Sequence, residues 1–116
     1  MAVHIDLGKK GESLAADWLK QQGFEVIQRN FRFGPCEIDI IALRAGMLHF
    51  IEVKCRNGGK VFPEASVTKS KIRTLLRAIN HYLFIHPQYR DFRLDILSII
   101  INRGEVEYFF IEDVYL

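Results

Sequence analysis

Cysteine occurs only twice in these 116 residues, as Cys36 and Cys55, and the two form no CxxC pair. A disulfide framework and a thiolate zinc cluster are thereby excluded, leaving two reduced, structural thiols. Histidine is almost as scarce: His4, His49, His81 and His86 lack any metal-ligand spacing, and His49 reads as a packing or edge residue. There is no internal repeat, no low-complexity tract and no linker, and proline occurs only three times. No apolar segment approaches the ~20 residues needed to span a bilayer, and no basic stretch followed by an apolar run stands near Met1. The expectation is a soluble cytoplasmic protein with no membrane partner. An excess of one charge is lacking as well, the net value being +2.

What the chain does have is apolar mass, 49% of its residues, enough for one domain over residues 1–116 with a modest core. Its charge is also unevenly spread. Between Lys54 and Arg77 stand seven bases and the single acid Glu64, a local charge of +6, so the rest of the chain carries −4. Such a patch can hold a polyanion, and a merely solvated basic face would look the same.

Periodicity places a helix from Leu7 to Gln22, with Asp6 as N-cap, Gly23 as stop, and Ala15, Ala16, Trp18 and Leu19 facing inward. A short strand over Phe24 to Arg29 and a loop over Asn30 to Pro35 follow. Residues 37–43 and 48–54 read as the arms of a β-hairpin. Cys55 to Ser66, with Gly58, Gly59 and Pro63, reads as a loop. A second helix over Thr68 to Ile85 repeats apolar residues at helical spacing behind basic first turns. Strands over Phe92 to Ile101 and Val106 to Ile111, joined by a turn at Asn102 to Glu105, complete the order α-β-β-β-α-β-β.

The hairpin contains a conflict. If Ala45-Gly46 is its two-residue loop, Asp39 stands opposite Glu52 and Glu37 opposite Lys54. Directly opposed side chains have Cβ atoms ~5 Å apart, and like charges so placed weaken a sheet. The alternating positions Ile38, Ile40, Ala42, Ile51 and Val53 make the other face apolar too, the pattern of strands covered on both sides by helices. Partial burial then deprives both carboxylates of hydration. A proton on one acid, a basic side chain between them, or a bound cation would resolve the conflict. Mg2+ suits paired carboxylates because it prefers oxygen ligands and keeps several waters. The plain alternative is a pair of solvated strand ends with a cross-strand ion pair from Glu37 to Lys54.

Asp39 followed by Glu52-Val53-Lys54 on the next strand resembles the D…(D/E)xK signature of the restriction-endonuclease-like nucleases. The wider set Gly11-Glu12, Trp18-Leu19, Gly23, Asn30-Phe31-Arg32, residues 37–42, residues 50–56, Lys71, Tyr82-Leu83 and Arg93-Leu94-Asp95 resembles the YraN-like family of bacterial proteins, similar in turn to archaeal Holliday-junction resolvases. One departure is Cys36, where the family motif usually begins with glycine, which bears on the turn before Glu37. The resemblance implies an α/β fold, a restriction-endonuclease-like mixed sheet flanked by helices. It also implies a nuclease-like site in which Asp39, Glu52 and the Val53 carbonyl hold Mg2+ (or Mn2+), with Lys54 orienting the attacking water or countering charge on the phosphate.

Glu12 shares a helix face with Ala15, Ala16 and Leu19, so it can reach inward to the same site; an acid complementing the helix dipole is the other reading. Lys71, at the start of the second helix, is a candidate phosphate contact together with Arg56, Lys60 and Arg32. Asp95 reads as structural, paired with Arg93 or Arg32. Two functions fit: a Mg2+-dependent nuclease acting on DNA, including branched or structured forms, or an inactive nuclease-fold module that binds nucleic acid or a protein partner. A homodimer would suit a junction, which has two strands to cut.

Overall fold

The computed structural model describes residues 7–58 and 68–114. Its elements are α1 (Leu7–Gln21), β1 (Glu25–Phe33), β2 (Cys36–Arg44), β3 (Met47–Asn57), α2 (Lys69–Ile85), β4 (Phe92–Asn102) and β5 (Glu105–Ile111). The order α-β-β-β-α-β-β follows the hydrophobic periodicity. The proposed cap Asp6 and most of the 55–66 loop, from Gly59 on, lie outside the described residues; the part that is described prolongs β3 to Asn57.

The five strands form one mixed sheet in the order β1-β2-β3-β4-β5. Consecutive hairpins make β1, β2 and β3 antiparallel, whereas β3 and β4 are parallel, joined by a crossover containing α2, and β5 returns antiparallel. Each face of the sheet carries its own core. Leu75, Ala78, Ile79 and Tyr82 of α2 pack on Ile41, Leu48, Phe50 and Leu94. Ala15, Ala16 and Leu19 of α1 pack on Ile40, Ala42, Ile51, Leu97 and Ile99. The apolar character of both hairpin faces therefore reflects a helix on each side.

Small side chains bring α1 close to the sheet. A Cβ at Gly11 would stand only 2.7 Å from the Cβ of Cys55, so the absence of a side chain there sets the height of the helix over β3. At the other end, Gly23 takes φ 91°, its N–H bonds to the Lys20 carbonyl at 3.1 Å, and the Phe24 N–H bonds to the Leu19 carbonyl at 2.9 Å. This is a Schellman cap, with Phe24 and Leu19 meeting in the core as its hydrophobic contact. Trp18 stacks on Tyr108 at 5.3 Å, tying the edge strand β5 to the same helix.

The hairpin between β2 and β3 turns at Ala45 (φ 52°) and Gly46 (φ 79°), the two positive values of a type I′ turn. This two-residue loop sets the register Arg44↔Met47 through to Ile40↔Ile51. The segment expected to be a loop from Asn30 is instead strand as far as Phe33, since β1 pairs with β2 through Phe33↔Cys36. Its turn-forming composition has a local cause: Asn30 adopts φ 56°, a left-handed conformation that asparagine tolerates.

Candidate active site

The expected register holds up to Ile40↔Ile51, and there β2 and β3 part. Below that point β2 continues against β1 alone, through Ile38↔Phe31 and Glu37↔Arg32, while β3 continues against β4 alone, from Glu52↔Ile96 to Asn57↔Ile101. Asp39 stands at the crotch of this fork. Across β1 its neighbour is Asn30, which falls between the paired residues Arg29↔Ile40 and Phe31↔Ile38. The strict alternation of faces is lost at the same place. Ile38 joins Ile41 in the core under α2, whereas Ile40 faces α1, correcting the expectation that Ile38 and Ile40 share a face.

Because the ladder has ended, the Val53 N–H has no β2 carbonyl and donates instead to Asp39 Oδ2 at 2.8 Å. In an extended strand the N–H and C=O of one residue point to the same side, so the Val53 carbonyl is directed to the open side of the fork as well. The two acids thus meet as the sequence suggests, through a strand separation rather than a ladder pair. Glu37 does not pair with Lys54. It bonds Arg32 across the β1–β2 ladder at 3.2 Å, since the fork carries β2 away from β3 before Glu37 is reached.

Glu52 is only 6% exposed, and two ammonium groups converge on its Oε2: Lys54 at 3.6 Å and Lys71 at 3.5 Å. Lys54 lies two residues on along β3, on the same face as Glu52. Lys71 arrives from the first turn of α2, where Thr68 caps the helix by accepting the Lys71 N–H at 3.1 Å. Burial raises the Asp39 carboxyl to about 7; repulsion from Glu52 and a carboxyl–carboxylate hydrogen bond to it push the same way, Glu12 adds a smaller repulsion, and the Val53 amide opposes them. Loss of hydration first, and a neighbouring acid second, thus favour the protonated form of Asp39.

Glu12 is on the sheet-facing side of α1, close enough to act on Asp39, and its side chain pairs with Arg29 at 3.8 Å. It stands apart from the other two acids: among the described residues no group of three or more His, Cys, Asp or Glu is placed to hold a metal ion. Arg32 is exposed on the edge strand beside Glu37, and Arg56 is exposed near the end of β3. Lys60 lies outside the described residues.

The donor set available to a divalent cation is accordingly Asp39, Glu52 and the Val53 carbonyl. Two carboxylates and a carbonyl, with water completing the shell, fit Mg2+, which is commonly held by one or two protein carboxylates.

Sequence reasoning gave Lys71 a phosphate role and missed its contact with Glu52, because no periodicity reports which strand a helix start will touch. It also missed a buried pair. His49 Nδ1 lies 2.6 Å from Asp95 Oδ2, and Asp95 Oδ1 accepts the Asp113 N–H at 2.8 Å. Asp95 therefore pairs with neither Arg93, which meets Asp113 at 3.8 Å, nor Arg32. Parallel pairing brings it there, since His49↔Arg93 and Ile51↔Asp95 are two rungs apart on the β3–β4 ladder, with Phe50↔Leu94 between them, and so share a face. The available signal was two ionisable residues within otherwise apolar strands.

The sequence matches the model of the Uncharacterised protein family UPF0102 over residues 11–99, a span that contains every acid and lysine of the fork. A UPF0102 protein of Christiangramia forsetii is 36% identical over 116 residues, covering 99% of this chain and 98% of the relative. One of Helicobacter hepaticus is 44% identical over 102 residues, 86% of this chain and 87% of the relative. One of Chlorobium chlorochromatii is 40% identical over 98 residues, 84% and 76% respectively.

Proposed function

The chain belongs to the Uncharacterised protein family UPF0102, the YraN-like family, and from that premise and the geometry of the fork we propose that it is a Mg2+-dependent nuclease hydrolysing phosphodiester bonds of DNA, branched or structured forms included. The observation that carries the reading is the meeting of Asp39 and Glu52 where β2 and β3 separate, with Lys54 and Lys71 both within 3.6 Å of one Glu52 oxygen. A binding surface has no need of buried, opposed acids, whereas phosphoryl chemistry uses both signs of charge at one point. The resemblance of Asp39 with Glu52-Val53-Lys54 to the restriction-endonuclease-like signature points the same way.

A divalent cation held by Asp39, Glu52 and the Val53 carbonyl would supply Lewis acidity at the phosphate and a more acidic bound water. The protein's own groups do the rest. Lys54 and Lys71 project from opposite elements toward the same carboxylate, so a phosphate entering there meets two ammonium groups, and charge building on its oxygens is countered from both sides. Lys54, next to Glu52 and Val53 along β3, would orient the water that adds to phosphorus as the P–O bond to the leaving group breaks. The basic first turns of α2, Lys69, Lys71 and Arg73, have no acid among them and favour the incoming backbone.

Incubation of duplex, single-stranded and four-way DNA, and of RNA, with Mg2+ or Mn2+ tests this directly. Cleavage by the wild type that Glu52→Ala abolishes, with binding retained, is expected. One observation favours a second reading, a module that binds nucleic acid or a protein partner without cutting: the lysines already neutralise Glu52, and Glu12 is drawn off by Arg29. If the wild type cuts none of these substrates with either metal, that reading replaces the first.

A further inference from the structure

Between the β1–β2 turn and α2 lies an open cavity of about 100 Å3 lined by Phe33, Pro35, Cys36, Thr74 and Arg77. Cys36 stands three residues before Asp39 on β2, and Thr74 about one turn beyond Lys71 on α2, so the cavity adjoins the proposed phosphate site. That is smaller than the sites that enclose small molecules, so it is a shallow shelf on which one ring can lie rather than a pocket that surrounds a ligand.

The walls have complementary chemistry. Phe33 is 39% exposed, unusual for a phenylalanine at the end of a strand, and its ring stacks on His81 at 4.3 Å with an interplanar angle of 24°. Phe31 continues the stack behind His81 at 6.4 Å, which stiffens the platform. On α2, Ser70, Thr74, Arg77 and His81 follow one another at four-, three- and four-residue steps and so run down one stripe of the helix. The Thr74 hydroxyl is anchored by donating to the Ser70 carbonyl at 3.1 Å. Arg77 is exposed and has no ion-pair partner among the described residues, and α2 holds four bases and no acid. An aromatic face beside unpaired cations is how proteins hold single-stranded nucleic acid: bases stack, and the backbone follows the positive charge.

We propose that this cavity receives one unpaired nucleobase of the strand whose phosphate lies at Glu52, Lys54 and Lys71, with the Phe33 ring as its stacking face and the Arg77 guanidinium on an adjoining phosphate. The inference rests on the fork being a phosphodiester site, and it narrows the substrate to nucleic acid with an unpaired or extruded base next to the scissile bond. The sugar is left open, because a base stacks alike in DNA and RNA.

The test measures binding in EDTA, where metal-dependent cutting is suppressed, using fluorescence anisotropy with single-stranded DNA, single-stranded RNA and blunt duplex DNA. The single strands carry 2-aminopurine, whose fluorescence is quenched by stacking. Phe33→Ala is expected to weaken single-strand binding roughly 5- to 100-fold and to abolish the quenching. Duplex affinity should change less than about two-fold, because a paired base offers Phe33 no open face. Phe33→Trp, which preserves a ring, should keep both signals and shows that loss in the alanine variant is not misfolding. Arg77→Ala should flatten the salt dependence by about one phosphate contact. Loss in either the DNA or the RNA arm supports the subsite and identifies the sugar. Unchanged single-strand binding, or equal loss on duplex, overturns it while leaving the nuclease reading intact if Mg2+-dependent cleavage persists. Failure of the wild type to bind any nucleic acid overturns both.

Discussion

Replacing Asp39 by asparagine isolates the charge conflict at the fork. In the metal-free protein the Asp39 carboxyl titrates at about 7, against 3.8 for the ordinary group. The folded state therefore holds its proton more tightly than the unfolded chain does. Stability from this source is fully present below about pH 4, declines by roughly 1.4 kcal/mol per pH unit, and is lost once pH passes about 7. Over some three pH units the loss is roughly 4 kcal/mol. Asparagine keeps an oxygen for the Val53 N–H and offers an N–H to Glu52, yet carries no charge. Asp39→Asn should thus match the wild type near pH 4 and exceed its stability by about 2 to 4 kcal/mol at pH 8 in EDTA. Urea unfolding of both proteins at half-unit steps from pH 4.5 to 8.5 checks this, since titrating groups remote from the fork cancel in the difference. A difference that stays flat with pH, or a variant less stable at pH 8, refutes the argument. Adding Mg2+ should narrow that difference. At a hundred times its dissociation constant the cation should stabilise the wild type by about 2.7 kcal/mol and the variant far less. Equal responses would remove Asp39 from the ligand set.

Two predictions concern the framework. Gly11→Ala should destabilise the protein by about 1 to 3 kcal/mol despite a gain in helix propensity of nearly 1 kcal/mol, because the new methyl meets the Cys55 Cβ at 2.7 Å. Urea midpoints should show partial rescue by Cys55→Gly in the double variant, and additive effects would contradict the contact. Asp95→Ala leaves the buried His49 and the Asp113 amide without their shared acceptor, so a loss of about 3 to 5 kcal/mol is expected by chemical denaturation. A loss under about 1 kcal/mol would show that the pair contributes little.

Most of the architecture could be read along the chain because it depends on near neighbours. Ala45-Gly46 sets the hairpin register, the apolar spacing of α2 sets its buried stripe, and Gly23 ends α1. The site was legible only to the point where neighbour rules apply. Two-residue-loop arithmetic brings Asp39 to Glu52, but it extends the ladder three pairs too far and so assigns Lys54 to Glu37. The fork depends on β1 and β4 each competing for one strand of the hairpin, a contest absent from the hairpin's own sequence. Asn30 carried a true signal of irregular backbone, which a loop assignment absorbed.

Residue order by itself determined the two helices, the five strands, the meeting of Asp39 with the Glu52 strand, and the concentration of bases between Lys54 and Arg77. These follow from periodicity, turn chemistry and charge counting, all of them short-range along the chain. The tertiary structure decided where the hairpin opens, that Lys71 joins Lys54 on Glu52, that Arg32 takes Glu37, and that His49 finds Asp95. Those contacts join elements brought together by a parallel crossover and by β1 pairing on the far side of β2. A side chain's partner across such a gap is chosen by packing and by competition for backbone hydrogen bonds, and only the assembled sheet resolves that competition.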